Sequence, residues 1–347
     1  MTVGLEALLS RLWWQPQRRL GAWLLWPLSL LYRALRAVHE RLRPPATALP
    51  VPVLVVGNWV VGGAGKTPTV MAVVQALRAA GHLPGVVSRG HGRESTAVRA
   101  VLAGDTPAEV GDEPLLIHRR CQVPVWVGRQ RVQAALALCQ AHPEVDVLVA
   151  DDGLQHHALA RQAELVVFDE RGAGNGLLLP AGPLREPLPE QLPGHCRVLY
   201  TAGLRSTGLP GALAVRTIRQ AWPLSTWSAD TPAAKDGQPL SALQGRPLLA
   251  AAGIAAPEKF FGMLQAAGLD VERLPLPDHH PYTTLPWPAG AQEIVTTEKD
   301  AIKLAGRDLG GRRVWVVPLD LQLPATLVGE LLDLLFPHAG HEPEAKP

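Results

Sequence analysis

Apolar and polar positions along the chain form short apolar runs that alternate with helical periods. Val51 to Val56 is a β-branched run, apolar on both faces, as a buried parallel strand requires. From Val70 the spacing changes to Met71, Val74 and Leu77, a helical period that stops near Gly81. Gly85 to Ser88, Val123 to Val127, Val145 to Ala150 and Leu165 to Phe168 repeat the short apolar pattern, and an Ala-rich helix ends at about Ala141. Strand and helix alternate from residue 50 to residue 200, which predicts a parallel α/β sheet. The pattern weakens from 203 to 245. A second α/β unit then begins with the run Pro247 to Ile254, a helix from Pro257, and strands at Ile294 to Thr297 and Val314 to Val317.

The first 45 residues have a different character. Trp13, Trp14, Trp23 and Trp26 lie among leucines, and the uncharged run Leu20 to Tyr32 contains Pro27. A spanning helix needs about 20 apolar residues, so this run is too short to cross a bilayer. Arg flanks it on both sides and no small-residue cleavage site follows, which argues against a signal peptide. Trp, Leu and Arg together suit an amphipathic helix in the membrane interface, with Arg on anionic head groups. The competing reading is a helix packed on the protein's own core.

The expected organisation is therefore an interfacial helical segment over 1–45, a nucleotide-binding domain over 46–205, a link over 206–245, a second, smaller α/β domain over 246–337 and a disordered tail over 338–347. The chain's 347 residues are 47% hydrophobic, enough for two cores. Its net charge is +2, but residues 1–45 carry seven Arg against Glu6 and Glu40, so the rest of the chain is net −3. The body lacks the basic face of a nucleic-acid-binding protein. Cys121, Cys139 and Cys196 are far apart, which excludes a Cys-x-x-Cys zinc knuckle and argues for a reducing compartment.

The strongest chemical signal is Gly62-Gly63-Ala64-Gly65-Lys66-Thr67-Pro68, placed between the first strand and its helix. Glycines let backbone amides turn inward onto phosphate oxygens, and the helix N-terminus adds partial positive charge. Lys66 would reach the terminal phosphates and the Thr67 hydroxyl would sit on Mg²⁺. The position six before Lys66 is Val60, where the general P-loop pattern has Gly. The second signal is the strand ending in Asp151-Asp152, followed by Gly153-Leu154-Gln155-His156-His157. A strand ending in acid usually supplies the Mg²⁺ carboxylate of a P-loop protein. A turn or N-cap role for these Asp remains open, and the His156-His157 pair reads as structural rather than as a zinc site. Residues 171–176 and 179–187 form a long Gly- and Pro-rich run with charges, typical of functional loops.

These motifs occur together in one order. Gly57-Asn58 precedes the phosphate loop; Ser88-Arg89-Gly90 and Gly111-Asp112-Glu113-Pro114 follow it. Then come Asp151 to His156, Leu179-Pro180-Ala181-Gly182-Pro183-Leu184-Arg185-Glu186, Asp278-His279-His280 and Thr297-Glu298-Lys299-Asp300. In this the chain resembles the tetraacyldisaccharide 4'-kinase family, the membrane-associated lipid A 4'-kinases of Gram-negative bacteria, over nearly its whole length. The family's P-loop is itself a variant, so Val60 does not count against the likeness.

The resemblance implies a P-loop fold with two α/β domains and a nucleotide site near the interdomain cleft. It implies ATP and Mg²⁺, and phosphorylation of the 4' hydroxyl of an acylated glucosamine disaccharide 1-phosphate to give lipid IVA. It places the protein at the cytoplasmic leaflet of the inner membrane, with neither nucleic acid nor an obligate protein partner. The family's acid–base dyad matches Asp112 with His279, His280 being the weaker substitute. An N-cap role for Asp112 is the bland alternative. Lys66 completes the catalytic set, while Thr67, Asp151 and Asp152 would hold the metal. The loop Gly62 to Pro68 would hold the nucleotide together with Glu186. Arg185 is expected on acceptor phosphate, Gln155 and His156 beside the metal carboxylates, Glu113 beside Asp112, and Arg129 or Arg131 near phosphate. Glu298-Lys299-Asp300 reads either as a nucleotide or interdomain contact or as a solvated helix start.

Two other classes compete. One is a membrane-bound P-loop nucleotide switch acting on a protein partner. Such switches often carry a second Lys in the loop, where Val61 stands, and a guanine-reading Asn-Lys-x-Asp stretch is missing. The other is a non-catalytic adaptor with a relic P-loop, which has no need of the paired Asp, Asp112 and His279 together.

Overall fold

The computed structural model describes residues 9–15, 20–227 and 237–337. Two compact units divide the chain. Unit 1 takes the described residues up to Val87, Arg131–Val215 and those from Leu323 onward; unit 2 takes Ser88–Gln130 and Arg216–Gln322. This differs from contiguous domains at 46–205 and 246–337. The expected link over 206–245 also has strands at both ends, and the expected tail over 338–347 lies outside the described residues.

Unit 1 is built on parallel strands: β1 (Val53–Gly57), β2 (Pro84–Ser88), β3 (Val147–Asp151), β4 (Ala163–Phe168), β5 (Cys196–Tyr200) and the two-residue β6 (Ala212–Leu213). Their order is β2-β3-β1-β4-β5-β6. Every residue of β1, β2 and β3 is buried, which is why these segments read as unbroken apolar runs. The register pairs Val56 of β1 with Asp151 of β3, so the loop after β1 and the acids after β3 leave the same edge. Ligands of open α/β sheets bind at that carboxyl edge.

Helix α1 (Leu20–Arg41) is longer than the apolar run suggests and continues through Pro27. The expected helical period after β1 is α2 (Lys66–Ala79). A final helix (Ala325–Leu335) stands where the sequence pattern gives no expectation. It buries Leu327, Leu331 and Leu335 at a spacing of four, worth about 1.5–3 kcal/mol per fully buried leucine. On the same helix Val328, Leu331 and Leu332 line an apolar pocket with Leu54, Val73 and Leu77. That packing is what draws the C-terminal segment into unit 1.

Unit 2 holds a mixed sheet: β7 (Gln220–Pro223), β8 (Gln238–Pro239), β9 (Leu248–Ala252), β10 (Val271–Pro275), β11 (Glu293–Thr297) and β12 (Arg313–Val317), ordered β8-β7-β12-β11-β9-β10. The four strands from β9 to β12 are mutually parallel, and β7 pairs antiparallel with β12. Phe261, Leu264, Leu243 and Val295 lie in its core. Ser88–Gln130 joins this unit because its helix Asp112–Cys121 packs on the helix Glu298–Leu304. Arg120 and the buried Glu298 form an ion pair at 3.3 Å between them.

Gly111 makes the turn into the Asp112 helix possible. Its φ is +93°, and a Cβ there would lie 3.0 Å from the carbonyl oxygen of His91 and 3.1 Å from Gly90. Gly111→Ala is expected to cost roughly 1–3 kcal/mol of stability, read as a lower urea midpoint. A midpoint equal to wild type contradicts this account of the turn.

Candidate functional site

The Gly-rich turn and the paired acids belong to unit 1. Lys66 is the first residue of α2, and Gly65 before it has a φ of +87°. Gly62 is also left-handed, at +89°. Pro68 falls in the first helical turn, where its missing N–H costs nothing. The Lys66 ammonium donates to Asn58 Oδ1 at 3.3 Å and lies 3.5 Å from Asp152 Oδ1. Asn58 is fully buried and donates back to the Gly62 carbonyl at 3.1 Å, so one side chain ties the lysine to its own loop. Arg171 holds the loop from outside through the Gly63 carbonyl at 2.6 Å.

Val60 is explained by pairing. It forms an antiparallel bridge with Leu184, flanked by Val61 N–H to Pro183 O at 2.9 Å and Arg185 N–H to Trp59 O at 2.7 Å. Its side chain is buried. This stretch is an extended segment with a packed outer partner, so glycine's freedom is not required there. The same bridge fixes where Arg185 and Glu186 begin.

Asp151 ends β3 almost wholly buried, and Asp152 follows in a left-handed conformation with φ +48°. Such a backbone is strained for a non-glycine residue and tends to persist at functional sites. Burial would raise the Asp152 carboxyl, but Lys66, Arg185 and Arg131 together hold it below the usual carboxylate range. Arg185 donates to Asp152 Oδ1 at 3.3 Å and to Gln155 Oε1 at 3.0 Å. Gln155 passes the chain on to Glu186 Oε1 at 2.8 Å. Arg131 donates to the Asp152 carbonyl at 3.0 Å and is itself buried, so it braces the acid turn. His156 is pushed down to about 4 by burial and by Arg131 and Arg161, so it is neutral near pH 7. Among the described residues no group of three His, Cys, Asp or Glu side chains is gathered as a metal site.

Helix α1 reaches this network. Ala22 and Ser29 are buried, and with the half-buried Leu25, Tyr32 and Arg36 they form one stripe at spacings of three and four. Ser29 Oγ donates to Leu178 O at 2.8 Å and Tyr32 Oη to Arg185 O at 2.8 Å. Arg36 meets Glu186 Oε2 at 2.8 Å. The polar members of the stripe that faces the protein, Ser29, Tyr32 and Arg36, all bond to one loop.

Asp112 and His279 belong to unit 2. Gly111 is the N-cap of the Asp112–Cys121 helix, so Asp112 is its first residue and not the cap. His279, 167 residues away, places Nδ1 2.9 Å from Asp112 Oδ2. Its backbone is left-handed, φ +57°, with its N–H on Asp278 Oδ1 and on the Gly253 carbonyl. The hydrogen bond to Asp112 raises His279 above its ordinary value, against burial and the nearby Lys299. Burial would raise Asp112, but the bond from His279 and the charges of Lys299 and Lys303 carry it far below the usual range. Glu113 pairs with Lys299 at 3.4 Å.

Lys66, the Gly62–Gly65 loop, Asp151, Asp152, Gln155, Arg185 and Glu186 lie in unit 1, whereas Asp112 and Glu113, which the sequence reading set in the 46–205 domain, lie in unit 2 with His279. Sequence reasoning missed the roles of Asn58, Arg36 and Arg171. Asn58 stands inside a motif, whereas Arg36 and Arg171 carry no distinguishing signal.

The chain is similar to known proteins over most of its length. Residues 21–335 match the family model described as tetraacyldisaccharide-1-P 4'-kinase. A tetraacyldisaccharide 4'-kinase of Methylibium petroleiphilum is 54% identical over 326 residues, covering 91% of this chain and 90% of that protein. One from Leptothrix cholodnii is 52% identical, covering 90% and 92%. The crystal structure of LpxK from Aquifex aeolicus in complex with ATP is similar with a TM-score of 0.71 and 26% identity, covering 91% of this chain and 99% of that one.

The pairing fixes signs of pH dependence. A raised His279 stabilises the fold fully below the unfolded value of about 6.5 and loses this as pH rises through its folded value. A depressed Asp112 stabilises above about 3.9 and loses this as pH falls. Asp112→Asn is expected to lower the His279 pKa in an imidazole NMR titration. An unmoved titration refutes the pairing.

Proposed function

The chain belongs to the tetraacyldisaccharide-1-P 4'-kinase family, and from that premise we infer how its residues share the work. The protein is a kinase of lipid A biosynthesis that transfers phosphate from ATP to the 4' hydroxyl of a tetraacyldisaccharide 1-phosphate. Phosphoryl transfer needs phosphate positioning, charge neutralisation and a group that orients or deprotonates the acceptor hydroxyl.

Lys66 and the loop amides Gly62 to Gly65 position the nucleotide phosphates. Lys66 exchanges its contacts to Asn58 and Asp152 for phosphate oxygens. Thr67, Asp151 and Asp152 offer hard oxygen donors, which suit Mg²⁺; one or two carboxylates plus substrate phosphates is its usual coordination. Bound there, Mg²⁺ would neutralise charge building up on the phosphate oxygens. Arg185 lies on the loop knitted to the phosphate turn and is the residue assigned to acceptor phosphate. Glu186 is assigned to the nucleotide side.

The Asp112–His279 pair handles the acceptor proton. Asp112 is nearly buried and holds the imidazole, while His279 is the more exposed member. This pairing is the single observation that carries the kinase reading over a nucleotide switch. A switch has no acceptor hydroxyl to deprotonate.

We also assign this protein to the cytoplasmic face of the inner membrane. Among the described residues no helix is long and apolar enough to cross a bilayer. Helix α1 nevertheless turns Trp23, Leu24, Leu28, Leu31 and Leu35 outward. With its bonded stripe on the protein and its apolar face outside, α1 suits the headgroup boundary, and the Arg surplus of residues 1–45 suits anionic lipid.

Two measurements test these readings. Transfer of ³²P from γ-labelled ATP to the tetraacyldisaccharide 1-phosphate in micelles should fall by about 10²–10⁴-fold in Asp112→Ala and similarly in Lys66→Ala, with folded protein in both. Near-wild-type rates in both refute the mechanism. Replacing Trp23, Leu24 and Leu31 by Ser should abolish flotation with anionic phospholipid vesicles, and undiminished flotation removes the membrane assignment.

A further inference from the structure

The run Thr297-Glu298-Lys299-Asp300 is left unused by the mechanism above, yet its side chains separate sharply. Thr297 caps the helix Glu298–Leu304 by accepting from the Asp300 N–H, and its hydroxyl meets Asp300 Oδ2 at 2.6 Å. Asp300 is fully buried and also accepts from the Gly253 N–H at 3.0 Å. Glu298 turns the other way, onto Arg120 and the indole of Trp227. These bonds lock the first turn of the helix on both sides. Lys299, between them, is left pointing at the acid–base pair.

The Lys299 ammonium lies 3.1 Å from His279 Nε2, 3.4 Å from Glu113 Oε1 and 3.4 Å from Asp278 Oδ1. One turn later on the same helix, Lys303 lies 3.4 Å from Asp112 Oδ2. Lysine has donors and no acceptor. A bond between Lys299 and Nε2 therefore needs Nε2 to present a lone pair. The proton of a neutral imidazole is then on Nδ1, facing Asp112.

We propose that Lys299 is a positioning residue for phosphoryl transfer, opposing protonation of His279 at Nε2 and so favouring its Nδ1–H tautomer against Asp112, while Lys303 steadies the Asp112 carboxylate. The proposal rests on the Asp112–His279 pair being the acid–base group. A base must arrive unprotonated, and Asp112 alone would favour the imidazolium. An ammonium group at Nε2 opposes protonation there until the acceptor hydroxyl takes its place, after which Nε2 receives the hydroxyl proton and Lys299 keeps its contacts to Glu113 and Asp278. The groups facing His279 are Asp112 and Glu113 from one helix, Lys299 and Lys303 from another, its neighbour Asp278, and His91 with ring centroids 5.8 Å apart. Three carboxylates thus stand against two ammonium groups, so losing Lys299 leaves the imidazole in a markedly more negative surrounding. Lys299 itself is raised above its ordinary value, burial opposing and Glu113, Asp112 and Asp278 prevailing, so it stays charged over the working range.

The test is the pH profile of kcat/KM for Lys299→Met and Lys299→Arg, with Asp112→Ala as reference. Removing the cation eases protonation of His279. The acid limb of Lys299→Met should move up by about one pH unit. Turnover then falls several-fold on the acid side and little on the alkaline side, and Lys299→Arg restores the limb toward wild type. Imidazole ¹⁵N shifts should show an Nε2–H population appearing in Lys299→Met only. An unmoved limb, or a loss uniform across pH, overturns the proposal if Asp112→Ala is inactive. If Asp112→Ala retains turnover, the acid–base reading itself fails, and this proposal fails with it.

Discussion

A parallel sheet delivers the carboxyl ends of all its strands to one edge, and the chemistry of unit 1 depends on this. The register that sets Val56 beside Asp151 requires the Gly-rich turn and the paired acids to emerge as neighbours. Everything else in that unit serves the edge. Asn58 ties the lysine to the loop, Val60 pairs with Leu184, and the bridge brings Arg185 to Asp152. The strand interiors can be uniformly apolar because all polar work is confined to the ends.

Gathered carboxylates must be neutralised, and both units solve this with cations. In unit 1, Lys66, Arg185 and Arg131 surround Asp152. In unit 2, Lys299 and Lys303 face Asp112, Glu113 and Asp278. The unit 1 arrangement can release Lys66 once phosphate oxygens compete for it. The lysines of unit 2 are held by a helix whose first turn is locked by the buried Asp300, which makes their charges a fixed part of the imidazole's surroundings.

Helix α1 inverts the usual amphipathic logic, in which the apolar stripe faces the core. Its inward contacts are Ser29, Tyr32 and Arg36, each bonded to the loop that carries Arg185 and Glu186. The exposed apolar face and the loop carrying Arg185 and Glu186 are thereby attached to the same helix, and Arg36 is shared between helix and loop. A conventional surface helix would offer no such path.

Much of this was legible in the residues alone. The α/β alternation, the phosphate loop and the acid-terminated strand are local, because strand period, turn chemistry and helix start each act over a few residues. The pairing of Asp112 with His279 was readable only through resemblance, since nothing local links positions 167 residues apart. Tertiary structure decided the rest. It returned Ser88–Gln130 to the second unit and the last helix to the first, because buried faces choose their partners by shape and not by order in the chain. It separated Glu298, Lys299 and Asp300 into an ion pair, a neighbour of the imidazole and a lock on the helix start. Three adjacent charged residues look alike in a sequence; on a helix they point about 100° apart, and only the surroundings on each side give each charge its role.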